Sequence, residues 1–191
     1  VTIDYIHFNC TAVSSNNVKG MDDLIRYIYS KGHRKIAYIH GQSFSYVTKE
    51  RLASFYRVCE ELNLDIPEEY IRTAEYLETE KAAMQTKELL ELKNPPTCII
   101  YPDDTSLIGG RNVIVEAGLR IPEDISVAGY DGIQMSQLLY PKITTIEQDT
   151  DRIGREAAIR LIQSIENPKT TLVERVVIEG VLLKGQSVGQ I

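Results

Sequence analysis

Residues 97–132 read TCIIYPDDTSLIGGRNVIVEAGLRIPEDISVAGYDG. TCIIYP (97–102) is a short apolar run, the pattern of a strand buried on both faces. Asp103 or Asp104 can cap the helix that follows, which runs to about Ala117 and stops at Gly118, a residue that accepts the left-handed conformation of a helix end. ISVAGY (125–130) is a second buried strand. A strand, a helix and a strand in this order form a right-handed crossover unit of a parallel sheet. Gly109 and Gly110 lie inside the helix, where each costs about 1 kcal/mol against Ala. The pair implies either close packing or weak helicity.

The same alternation extends outward from this unit. Residues 1–7 read as an apolar strand. Residues 17–31 read as a helix, with Val18, Met21, Leu24, Ile25 and Ile28 at spacings of three and four and Gly32 as the stop. KIAYIH (35–40) is a buried strand. Thr48 is the expected N-cap of a helix that places Leu52, Phe55, Val58, Cys59 and Leu62 on one face. YIRTAEY (70–76) reads as a strand, and a helix runs from Thr79 to about Leu92, ended by Asn94-Pro95-Pro96. ITTIEQ (143–148) is a strand, residues 151–165 a helix, and VERVVIEGVLLKG (173–185) a β-rich tail. The fold class expected is α/β, a doubly wound and mostly parallel sheet with helices on both faces. Ligands of such sheets bind at the carboxyl ends of the strands, which draws attention to residues 41–48, 76–78, Asp103-Asp104 and Asp131-Gly132.

Composition narrows the function classes. The chain has 191 residues and a net charge of −6, from 21 Lys and Arg against 27 Asp and Glu. Without a dense basic stripe it is a poor candidate for gripping nucleic acid by itself. No apolar run approaches the roughly 20 residues of a membrane span. Cys10, Cys59 and Cys98 are an odd, widely spaced set, so neither a zinc site nor a disulfide framework is expected, and a reducing, cytoplasmic setting fits. His7, His33 and His40 have no partner at metal or triad spacing and read as structural. Nucleophile-elbow, zincin and P-loop signatures are absent, so no catalytic residue, metal or cofactor is expected.

The polar residues that remain each have an ordinary reading. Asp103 and Asp104 suit a helix N-cap and first turn, or a hydrogen-bonding pair at a strand end. Asp131 suits an Asp-Gly turn, or a carboxylate aimed into a cleft. Arg51 suits a solvated helix surface, or a planar clamp for a hydroxylated or acidic ligand.

Taken in order, VTID (1–4), GHRKIAYIHG (32–41), RLASF (51–55), PPTCIIYPDD (95–104), EAGLRIPEDISVAGYDG (116–132) and PKITTIEQD (141–149) resemble the effector-binding region of lac/galactose-repressor-type transcription regulators. The resemblance covers nearly the whole chain. It implies the fold of type I periplasmic sugar-binding proteins, two similar α/β subdomains with the ligand between them. Residues 15–148 and 173–191 would form the C-terminal effector subdomain, and residues 1–14 and 149–172 a remnant of the N-terminal one. The helix-turn-helix and the first half of that N-terminal subdomain are expected to precede this chain in the parent protein.

By the resemblance, Asp4, Arg51, Asp103, Asp131 and Gln148 face the ligand. Phe44, Tyr46 or Tyr76 would cover an apolar sugar face. The sequence departs from the family pattern at Asp103, where the family has Asn, so an amide that donates and accepts becomes an acceptor only. Ser54 replaces a motif glycine. Leu77 stands where some sugar-binding relatives carry a stacking Trp. Met135, Leu138, Leu139 and Tyr140 form an apolar cluster at the family's dimer surface. The partners implied are a small sugar-like effector, a second copy of the chain, and operator DNA through the missing domain, with no membrane. A periplasmic-type solute receptor is the alternative. An enzyme built on Asp103 and Asp104 lacks any phosphate-binding Lys, Ser or Thr at a suitable spacing.

Overall fold

The computed structural model describes residues 1–7 and 9–191. The described residues form two sheets. The larger has six strands in the order β4 (Ile71–Thr73), β3 (Ile36–His40), β5 (Cys98–Ile100), β6 (Ser126–Asp131), β7 (Thr144–Glu147) and β9 (Val181–Leu183). All neighbours are parallel except β7 and β9, which run antiparallel. The smaller sheet is fully parallel, with β1 (Thr2–Ile3), β2 (Ala12–Ser15) and β8 (Arg175–Ile178) in that order.

Alternation along the buried strands builds two cores. Ile36, Tyr38, Cys98, Ile100, Ala128 and Tyr130 point to one face, where they pack against α1 (Asn17–Ser30) and α2 (Tyr46–Glu61). Ala37, Ile39, Ile99, Tyr101 and Val127 point to the other, under α3 (Thr79–Leu90) and α4 (Asp104–Glu116). Successive side chains in a strand must face opposite ways, so runs that are apolar at every position demand helices on both faces. The doubly wound α/β expectation is met. The small sheet carries α6 (Thr150–Glu166), whose Ile153 packs with Val13 and Ile178.

The chain crosses between the sheets three times: from β2 into α1, from β7 into α6, and from β8 into β9. Two of the crossings are joined by the Asn16 amide, which donates to the Ile178 carbonyl at 2.7 Å.

Several sequence expectations need correction. The expected subdomain limit at 172/173 does not match the sheets. β8 pairs with β2 along four residues, Ala12 to Ser15 against Arg175 to Ile178, so the tail divides after Ile178. The strand expected over 1–7 is only Thr2–Ile3, because Asp4 turns the chain at φ 53°. The strand at 70–76 is reduced to three residues. The second helix begins at Tyr46 with Ser45 in the cap position, and the Thr48 hydroxyl instead meets the Tyr76 hydroxyl at 2.9 Å. Three elements were not foreseen: β2, a 3-10 turn at Glu68–Tyr70 and the five-residue helix α5 (Gln134–Leu138). The glycine pair in α4 reflects close packing. A Cβ on Gly109 would lie 2.1 Å from the Thr79 carbonyl oxygen, and one on Gly110 would lie 2.2 Å from the Tyr101 hydroxyl.

Candidate ligand-binding cleft

A hollow of about 310 Å³ is lined by Asp4, Arg51, Tyr76, Asp131 and Gln148, together with Ser45, Val47 and Leu77. Asp131 ends β6, and Tyr76 and Gln148 follow β4 and β7, all at the carboxyl edge of the large sheet. Asp4 follows β1 of the small sheet. The position is the one expected for a parallel sheet. Another hollow, of about 370 Å³, is lined by Glu147, Asp149, Asp151 and Glu179, and lacks both a cation and an aromatic surface. The 310 Å³ hollow combines donor, acceptors and an aromatic ring, the composition of a small-molecule site.

Arg51 is the centre of this cleft. It is only 3% exposed. Its Nε donates to Asn17 Oδ1 and its Nη1 to the Pro102 carbonyl, both at 2.9 Å. The guanidinium Cζ stands over Tyr130, 3.4 Å from the ring centroid, an attractive placement for a delocalised cation. Asn17 is held in turn, donating to Glu50 at 3.1 Å. The side chain is thus fixed in place before any ligand arrives.

Asp131 sits at φ 102°, in a region that favours glycine. Gln148 holds it there, its backbone N–H donating to the Asp131 carbonyl at 3.2 Å and its side-chain amide to Asp131 Oδ1 at 2.6 Å. Burial raises the Asp131 carboxyl above its usual range, opposed by the Arg51 charge and the Gln148 hydrogen bond. The Asp4 carboxyl is raised by burial as well, against the pull of Arg51 and a hydrogen bond from the Ser15 backbone amide. Among the described residues, buried Asp4 Oδ1 has no hydrogen-bond partner.

The remaining expected site residues lie elsewhere. Asp103 is buried beneath the cleft with its oxygens occupied. Oδ1 caps α4 by accepting from the Ser106 amide at 2.7 Å, and Oδ2 accepts from the Leu77 amide and the Ser106 hydroxyl, both at 2.9 Å. It anchors the loop that carries Tyr76 and does not line the hollow. Phe44 is 83% exposed and stands outside the cleft. The Tyr46 hydroxyl donates to Glu50 at 2.6 Å, and the Arg175 guanidinium stands over its ring. Of the three candidate aromatics, Tyr76 alone lines the hollow. Sequence reasoning missed Asn17 and Tyr130, which orient Arg51. An Asn at a helix start reads as a cap, and a Tyr in an apolar strand reads as core.

Asp104 is fully buried and accepts from the Ile133 amide at 3.0 Å, clamping the turn that follows Asp131. Burial pushes its carboxyl up to about 6, opposed by hydrogen bonds from Thr145, Ser136 and the Ile133 amide.

The periplasmic binding protein-like domain family matches residues 25–188 of this sequence. The chain belongs to that family. ExuR of Bacillus subtilis, named as a probable HTH-type transcriptional repressor, is 31% identical over 160 residues, 84% of this periplasmic binding protein-like chain and 48% of ExuR. A crystal structure from Bacillus cereus subsp. cytotoxis, assigned as a LacI transcriptional regulator, is 29% identical with a TM-score of 0.89, covering 94% of this chain and 63% of that one. The transcriptional regulator CelR, solved as a cellobiose complex, is 25% identical with a TM-score of 0.87, covering 93% of this chain and 54% of CelR. The chain spans about half the length of the curated relatives it matches. The family resemblance noted in the sequence therefore holds, and the relatives of this periplasmic binding protein-like chain are transcriptional repressors. Among the described residues no helix is long and apolar enough to cross a membrane.

Proposed function

We propose that this chain is the effector-sensing and dimerising part of a cytoplasmic, DNA-binding transcriptional repressor. A small sugar-like polyol binds in the 310 Å³ cleft and changes the angle between the two sheets. The observation that carries this reading is the cleft itself, in which fixed Arg51 and accepting Asp131 and Asp4 converge between the two sheets. The cellobiose in the related CelR structure supports the ligand class. Regulators among the relatives favour this reading over a solute receptor and over an enzyme. Operator DNA is gripped by a separate domain of the parent protein, in keeping with the net charge of −6 here. The effector alters operator affinity only by its differential affinity for the two sheet orientations.

The reading is tested by calorimetric titration of the full-length gene product with a panel of neutral mono- and disaccharides. A sugar that binds wild type is expected to bind Asp131→Asn about 10-fold or more weaker, since a hydrogen bond to a charged acceptor contributes about 1.5–3 kcal/mol. Binding unchanged in Asp131→Asn would remove this cleft as the site.

Dimerisation is assigned to the segment after Asp131. Met135, Leu138 and Tyr140 are exposed, at 53, 72 and 82%, while Leu139 packs onto the core beneath α3 and α4. Contiguous exposed apolar side chains of this kind mark an interface. Wild-type protein at tens of micromolar is expected to sediment as a dimer. Leu138→Glu is expected to weaken the dimer about 100-fold, the loss typical of a central interface residue. A monomeric wild type, or an equally stable dimer of the variant, contradicts the assignment.

A further inference from the structure

We infer that the cleft selects a polyol that brings hydrogen-bond donors and no negative charge, a neutral or amino sugar in preference to a uronic acid, and that Asp4 sets this preference. The inference rests on the reading of the 310 Å³ hollow as the effector site. It follows from the charges that line the hollow and from the buried Asp4 oxygen left unpaired.

Donors are scarce. Arg51 is the cation lining the hollow. Two of its five N–H groups are held by Asn17 and the Pro102 carbonyl, and its face is covered by Tyr130. One N–H of the Gln148 amide is given to Asp131, and the Tyr76 hydroxyl is paired with Thr48. Arg175 is committed to Glu50 and offers the cleft no second positive charge.

Acceptors are in surplus. Asp4 Oδ1 is buried and without a partner among the described residues. Asp131 has one oxygen bound by Gln148, which leaves the other to face the hollow. Two carboxylates thus share one guanidinium; burial raises both carboxyls, and the Arg51 charge opposes the shift in each. An anionic ligand would add a third negative charge beside them. A hydroxyl or ammonium group instead supplies the donor that Asp4 Oδ1 lacks. An unpaired buried acceptor strongly disfavours the wrong ligand, which is how such sites discriminate.

The test uses matched trios on the full-length gene product: glucose, glucosamine and glucuronate, and galactose, galactosamine and galacturonate, by calorimetry at pH 8. The neutral or amino member is expected to bind about 10-fold or more tightly than the uronate. Asp4→Asn is expected to close that gap. A uronate that binds tightest overturns the inference while leaving the cleft reading intact. Failure of every trio member to bind counts against the sugar reading itself, so a second measurement needs no ligand. Asp4→Asn removes a partly buried charge that Arg51 and the Ser15 amide offset only in part, and is expected to raise the melting temperature of the ligand-free protein by about 2 °C or more at pH 8. An unchanged or lowered melting temperature shows that the Asp4 charge is compensated, and overturns the inference whatever the sugars do.

Discussion

Arg51→Met is expected to destabilise the protein by about 3–5 kcal/mol, the usual cost of removing one partner from a buried charged network. Met keeps most of the side-chain volume, so packing on Tyr130 survives and the loss is mainly polar. The Pro102 carbonyl and Asn17 Oδ1 each lose a donor. Asp131 and Asp4, both already raised by burial, lose the opposing charge of Arg51. For a chain of this length that corresponds to a fall in melting temperature of about 10 °C. Arg51→Lys retains charge but cannot serve Asn17 and Pro102 with the same planar fork, and is expected to fall between. Thermal and urea unfolding followed by circular dichroism decide the matter. A loss below about 1 kcal/mol in Arg51→Met would place the guanidinium outside any stabilising network.

Gly109→Ala is the second large effect. The added methyl would lie 2.1 Å from the Thr79 carbonyl oxygen and 2.8 Å from the Thr79 Cα. Both are backbone atoms at the start of α3, so no side chain can swing aside. Overpacking of this kind costs about 1–3 kcal/mol or more, against about 1 kcal/mol gained in helix propensity. A net loss near 2 kcal/mol is expected, about 6 °C in melting temperature. Gly154→Ala is the control. It lies exposed in α6, and a Cβ there meets nothing within 4 Å. Propensity alone acts at that position, and the variant is expected to gain up to about 1 kcal/mol. If both alanines stabilise equally, the close contact between α3 and α4 is not rigid.

The sequence revealed most of the large sheet because its signal is local. Ile36 to Ile39 and Cys98 to Tyr101 are apolar at every position, and only a sheet covered on both faces uses such runs. The small sheet was less legible. Ala12 to Ser15 is half hydroxyl, and its Ser14 and Ser15 are buried without an apolar signature. The tail 173–185 reads as one β-rich stretch, yet its two strands join different sheets, a choice made by distant partners at Ala12 and Thr145. In the cleft, Asp131 was legible as the residue that ends a strand at the sheet edge, whereas Asp4 and Gln148 came from the family resemblance. Residues on the loop before α2 were not. Phe44 and Tyr46 sit in the right segment, but loop position does not determine where a side chain points. Asp103 was placed correctly at a strand end, where its capping bonds to Ser106 and its hold on Leu77 leave it unavailable to the cleft.

The triple passage of the chain between the two sheets carries a mechanical consequence. Two bodies joined by one tether can swivel in any direction, whereas bodies pinned at three neighbouring points retain little beyond a single rocking axis. A molecule seated close to that axis works on a short lever, so it gains purchase only through stiff, directional contacts such as those of a clamped guanidinium. The far ends of both bodies sweep the longer arc, and a few degrees set at the pins become a displacement large enough for anything attached there to register.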